Sequence, residues 1–237
     1  KPYYLGRGLK VGNIKDANYL VEPDINDKSY YSDTLLNNAK SYSDTAIMVI
    51  SRLCGEGGSN PTNQPKEGPK GKTTDNSRHY LELSTEEESL LTYLGANFEK
   101  VIVLINNCNQ MELGLLETIP GIDACMYVGY TGTRGASSLP KLLYGDATPS
   151  GRLVDTFAYD LYTNPSVIWN TPIWASEGSY LDKVAGIYIG YKWYETADTM
   201  GMWTAANGYE KGYDGVVQYP FGHGLSYTDF EWTVDDI

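Results

Sequence analysis

Residues 84–107 read STEEESLLTYLGANFEKVIVLINN, a helix that begins on its own cap and runs directly into a strand. Ser84 followed by Glu87 three positions later is the pattern of a capping box, in which each side chain satisfies the other residue's free backbone N–H. Glu86, Glu87 and Glu88 place negative charge at the positive end of the helix. Leu90, Leu91 and Leu94 recur at the spacing of one buried face. KVIVLINN (100–107) follows and is apolar for most of its length, as expected for a strand covered on both faces.

The same alternation extends in both directions. SDTLLNNAKSYSD (32–44) predicts a helix with Leu35, Leu36 and Ala39 on one side, and TAIMVIS (45–51) a second buried strand. Downstream, MELGLLETI (111–119) is a short helix stopped by Pro120-Gly121, and DACMYVGY (123–130) is a strand. A Gly-rich turn leads to the helical LPKLLYG (139–145), and GRLVDTFAYD (151–160) reads as a further strand after the turn DATPSG. Strand and helix in alternation predict a three-layer α/β/α sandwich with a mostly parallel sheet of about five to six strands. One domain is expected over residues 1–237, with an irregular lead-in over 1–30 and an irregular aromatic-rich part over 160–237. Ligands of such sheets bind at the carboxyl ends of the strands, which here carry SRLCGEGG (51–58), NNCNQ (106–110) and YTGTRGA (130–136).

Between Ser51 and Ser84 lies a polar stretch of about thirty residues, far longer than a simple strand-to-helix turn requires. It holds Glu56 between two glycines, Glu67, and His79, one of only 2 histidines. Bulk composition narrows the chemistry further. Lys plus Arg number 18 against 30 Asp plus Glu, a net charge of −12, which argues against nucleic acid or an anionic membrane as partner. No apolar run reaches the ~18 residues of a membrane span. The beginning, KPYYLGRGLKVG, has neither an initial Met nor the apolar core of a signal peptide, and reads as an internal cut. Cys54, Cys108 and Cys125 read as buried free thiols, and no CxxC or HxxxH spacing favours a metal site. Tyrosine is abundant at 21 residues; such rings stack on sugars, but half-buried packing is their commoner use.

Several motifs fail on spacing. GPKGKTT (68–74) lacks the first phosphate-loop glycine, since position 66 is Lys66. Gly129, Gly132 and Gly135 are three apart, which does not fit a dinucleotide fingerprint, and no GxSxG nucleophile elbow occurs. An independent nucleotide-binding protein is therefore disfavoured. Taken in chain order, however, CGEGG (54–58), LSTEEESLLTYLGANFEKVIVLINN (83–107), YTGTRGASSLPKLLYGDATPSGRLVDTF (130–157), AGIYIGYKWYE (185–195) and FGHGLSYTDF (221–230) resemble the α/β-sandwich, C-terminal domain of glycoside hydrolase family 3.

That resemblance implies a role. In the family a (β/α)8 barrel carries an aspartate nucleophile, and a loop of the sandwich domain supplies the general acid/base glutamate. Matching GEG places that residue at Glu56, with Glu67 on the same loop as the runner-up. Arg52 is a candidate orienting or substrate-binding group, with a surface salt bridge as the alternative, and His79 a candidate near substrate, with an ordinary solvated loop residue as the commoner alternative. The implied partners are a β-glucoside or short β-linked oligosaccharide and the barrel itself, with no cofactor. Departures are present too. No Asp-Arg follows GEG, a family Glu is missing from Gly132-Thr133-Arg134-Gly135-Ala136, Ala185 stands for a family Glu, and Lys192 stands for an Arg. No SDW-like nucleophile motif and no room for eight βα units of roughly 250 residues is found, so hydrolysis is expected only together with a barrel. The competing reading is a non-catalytic sugar-binding or scaffold module using the aromatic-rich part.

Overall fold

The computed structural model describes residues 21–52, 63–66, 73–164 and 186–234. It divides into two compact units, Lys1–Tyr130 and Thr131–Ile237, taken in turn.

The first unit is built on a parallel sheet. β1 (Thr45–Ser51), β4 (Lys100–Asn106) and β5 (Ala124–Tyr127) lie in the order β1-β4-β5, with Thr45 opposite Lys100 and Ile102 opposite Ala124. The α/β class is as expected; among the described residues the parallel sheet has three strands against the five to six anticipated. Position in the sheet decides burial. β4 is central, and Val101, Val103, Leu104 and Ile105 are all buried. β1 is an edge strand here, and its buried Met48 and Ile50 alternate with the half-exposed Ile47 and Val49. The expectation that TAIMVIS is covered on both faces is not met: among the described residues β4 is its one sheet neighbour, and Ile47 and Val49 on one face stay half-exposed.

α1 (Asp33–Tyr42) is capped by Ser32, whose hydroxyl accepts from the Leu35 N–H, but none of its residues is buried. α2 (Thr85–Asn97) has the complete reciprocal capping box of Ser84 and Glu87 and packs on β1 and β4 through the buried Leu90 and Leu91. Its Gly95 touches the turn after α3 (Leu115–Thr118). A Cβ at Gly95 would lie 2.0 Å from the Pro120 carbonyl oxygen. The polar stretch before α2 is not all loop. β2 (Asn63–Lys66) and β3 (Thr73–His79) pair antiparallel, with a register shift between Asn63 and Gln64.

In the second unit, α4 (Gly132–Gly135) and α5 (Leu139–Leu143) are single turns, and Pro140 sits in the first turn of α5, where its missing N–H costs nothing. The strand expected over 151–160 shrinks to β6 (Phe157–Ala158), which pairs antiparallel with β7 (Val217–Tyr219) and does not extend the parallel sheet. α6 (Tyr191–Thr199) packs here. Ala158, Tyr194, Ala197, Trp203, Val216 and Val217 form the core, with Trp193, Tyr209 and Tyr213 against it. The indole N–H of Trp203 donates to the Tyr194 carbonyl at 3.0 Å, and that of Trp193 to the Thr163 carbonyl at 2.9 Å. These aromatics are packing residues with satisfied polar ends. The segments SGRLV and FGHG meet: Leu153 N–H donates to the His223 carbonyl at 2.8 Å, and Gly222 N–H returns to the Leu153 carbonyl at 2.8 Å. His223 serves this turn through its backbone.

Candidate active site

The carboxyl ends of the three parallel strands are laced together by side chains. Ser51 Oγ donates to Asn106 Oδ1 at 3.3 Å, and Asn106 Nδ2 to the Gly129 carbonyl at 2.6 Å. The Tyr130 hydroxyl donates to the Arg52 carbonyl at 3.0 Å. This is the edge at which ligands of parallel sheets bind, and β1 ends at Ser51, five residues before Glu56.

Arg52 is the best-determined side chain of that edge. It is 2% exposed, and all five of its N–H donors have acceptors. Nε donates to the Tyr80 carbonyl at 2.8 Å; Nη1 to the Ser51 carbonyl at 3.1 Å and Glu87 Oε1 at 2.7 Å; Nη2 to the Glu82 carbonyl at 2.6 Å and Glu87 Oε2 at 2.7 Å. Burial opposes the charge, but the charge and hydrogen bonds of Glu87 outweigh it and hold the guanidinium pKa above its ordinary value. The surface salt bridge considered for Arg52 is thus a buried, forked pair with the capping glutamate of α2. A sugar hydroxyl would have to displace one of these acceptors to reach it.

Gln64 ends at the same place. Buried at the register shift of the hairpin, its amide Nε2 lies 3.0 Å from the His79 carbonyl, 3.1 Å from that of Tyr80 and 2.7 Å from that of Glu82. Beside it, His79 Nε2 is 2.9 Å from Glu112 Oε1, and Glu82 Oε2, 3.8 Å away, accepts the His79 backbone N–H. These three residues are near enough to hold a cation, yet His79 Nδ1 accepts from the Leu81 N–H at 3.2 Å. That bond assigns the ring proton to Nε2, which then donates to Glu112 and has no lone pair for a metal. The cluster is a hydrogen-bonded tie between the hairpin and the loop after β4, which the Glu112 N–H reinforces by donating to the Leu81 carbonyl.

Of the residues singled out in the sequence, Arg52 and His79 are brought to this edge, while Glu56 and Glu67 lie outside the described residues. Glu87, Gln64 and Glu112 escaped notice as members of the edge. Glu87 was legible only as a helix cap; nothing local marks the other two, whose partners are 15 to 33 residues away. The cysteines also differ from expectation. Cys108 is disulfide-bonded, with a partner outside the described residues, and Cys125 is a free thiol on the exposed edge strand β5. Cys125 reaches the accessible surface of its strand, though the atoms packed around its thiol push its pKa up to about 12.

A parallel sheet packed with helices, its C-terminal edge organised by buried polar ties, defines a domain of the α/β class. Its family follows from comparison: the chain belongs to glycosyl hydrolase family 3, whose C-terminal domain model matches residues 31–227. A β-glucosidase of Ruminococcus albus is 31% identical over 191 residues, covering 78% of this chain and 16% of that protein. An exo-α-(1→6)-L-arabinopyranosidase of Bifidobacterium longum is 27% identical over 66% of the chain and 18% of its own length. Among solved structures, β-glucosidase 3B of Thermotoga neapolitana, in complex with glycerol, superposes with a TM-score of 0.61 at 28% identity, over 84% of this chain and 24% of that one. The chain thus spans less than a quarter of each of these proteins.

Proposed function

We propose that this chain is the acid/base-bearing part of a retaining β-glycosidase that removes terminal β-linked glucosyl residues together with a (β/α)8 barrel supplying an aspartate nucleophile. The observation that carries the reading is the fixed exit of β1. Arg52 leaves the sheet edge with its carbonyl and every side-chain donor engaged, and the glycine-flanked Glu56 follows within four residues. Retention requires two carboxyl groups about 5–5.5 Å apart across the scissile bond. In this reading the barrel aspartate attacks the anomeric carbon while Glu56 donates its proton to the departing oxygen. Glu56 then takes a proton from the water that cleaves the glycosyl ester. Burial or neighbouring negative charge has to raise its pKa for the first step. The relatives named as β-glucosidases support glucose as the sugar. The alternative of a sugar-binding module loses support at Tyr194 and Trp203, which belong to the second unit's core, and at Trp193, Tyr209 and Tyr213, which pack against it.

The test is complementation. Mixing the chain with its barrel partner should produce hydrolysis of an aryl β-glucoside that neither gives alone, and Glu56→Gln should abolish it. Activity that survives Glu56→Gln but disappears with Glu67→Gln would move the acid/base role to Glu67. Survival of both changes would remove it from this loop.

A further inference from the structure

Tyr130 follows β5 at the carboxyl edge of the sheet, and it is held from both ends. Gly129, just before it, takes φ +58°, which turns the chain out of the strand, and its carbonyl accepts from Asn106 Nδ2 at 2.6 Å. At the far end of the side chain, the Tyr130 hydroxyl donates to the Arg52 carbonyl at 3.0 Å, a partner 78 residues away in the chain. Arg52 is itself tied to β4, its backbone N–H donating to the Asn106 carbonyl at 3.4 Å. Between these anchors Tyr130 nevertheless remains 51% exposed. Ordering a side chain costs conformational entropy, which burial ordinarily offsets; here half of the residue is left open. Beside Gly129, the Asn106 amide carries a second N–H beyond the one given to that carbonyl.

We infer that Tyr130 is a specificity-determining residue whose ring is the stacking surface for a sugar in the leaving-group position. This rests on the reading given above, in which the proton for the departing oxygen comes from this chain, so that the chain's ligand edge lies on the leaving-group side of the scissile bond. A pyranose presents an apolar C–H face and a rim of hydroxyls. An exposed aromatic ring with a polar amide nearby offers a contact of each kind. A freely rotating surface tyrosine would have to be ordered at every encounter. The hydroxyl tether to Arg52 removes most of that cost, because the ring is oriented before the sugar arrives.

The test uses the complete enzyme, with its barrel, and two substrates. Cellobiose has a glucose ring as its leaving group; β-glucosyl fluoride has one too small to stack. Tyr130→Ala should raise KM for cellobiose about 10-fold, with kcat little changed and the kinetics of the fluoride unaltered. Tyr130→Phe keeps the ring and loses the tether, and should raise the cellobiose KM by about 2- to 3-fold. It also decides the matter if Tyr130→Ala does not fold, which hydrogen exchange of the β4 amides reads. Equal losses on both substrates would mark a structural role, and unchanged cellobiose kinetics would mark no contact; either result overturns the inference. If the unsubstituted enzyme hydrolyses neither substrate, the functional reading falls and the stacking role with it. If it hydrolyses both and only the split between them is missing, the stacking role alone falls.

Discussion

Arg52 and Glu87 show how little a charge pair reveals of itself at a distance of 35 residues. Burying two charges is costly, and removing one partner strands the other. Glu87→Gln retains a capping-box acceptor but leaves the guanidinium buried without its counter-charge, and should destabilise the first unit by about 3 kcal/mol. All five tryptophans lie beyond residue 130, so tryptophan fluorescence would miss this loss; hydrogen exchange of the β4 amides reads it. By contrast Lys28 and Asp33 form an exposed pair, with side chains 59% and 79% accessible, and Lys28→Ala should leave the same exchange unaltered. The cysteines give a second residue-scale expectation. With Cys108 bonded and Cys125 free, the denatured, unreduced chain should titrate one thiol, rising to three after reduction. Three thiols without reductant would contradict the bonded state of Cys108.

Elements meet where glycine permits it. At Gly95 a helix-favouring change to alanine gains up to ~1 kcal/mol of propensity, but the new methyl group would stand 2.0 Å from the backbone oxygen of Pro120. Neither backbone can yield cheaply, so Gly95→Ala should lower the melting temperature despite that gain, whereas Ala96→Gly, one residue along, tests propensity alone. In the second unit the Gly212–Gly215 turn carries Tyr213 against α6. Burial first, then the charges of Glu195, Asp198 and Asp214, raise its phenol pKa. The folded state therefore holds this proton more tightly than the unfolded chain. The associated stability is complete below the unfolded tyrosine value of about 10 and is lost as pH rises through the folded value. Tyr213→Phe should flatten the alkaline fall in the unfolding midpoint of the second unit; an unchanged slope would show that Tyr213 does not drive it.

On the scale of the whole molecule, the chain matches a portion of longer proteins: it covers 16% of the Ruminococcus relative and 24% of the Thermotoga structure. Under the proposed function, glucose titrated into the chain without a barrel should leave tryptophan fluorescence unchanged; Trp203 lies in the second unit's core with Trp193 against it, while Trp232 is exposed. Saturable quenching would favour the sugar-binding module instead. The fold class was legible because its signals are local. A capping box, a 3.6-residue stripe in α2 and the apolar run of β4 each lie within one element. The strand expected over GRLVDTFAYD is reduced to Phe157–Ala158, which pairs antiparallel. An apolar run does not state which strand it will lie beside.

By itself the sequence determined the α/β alternation, the cap of α2 and the family motifs, all of them readable from neighbours along the chain. Only the tertiary structure decided that Arg52 is buried against Glu87, that Gln64 returns to the same carbonyls, and that His79 spends its ring proton on Glu112. Those outcomes depend on which distant groups are left to satisfy a buried donor, and that is settled when the chain packs.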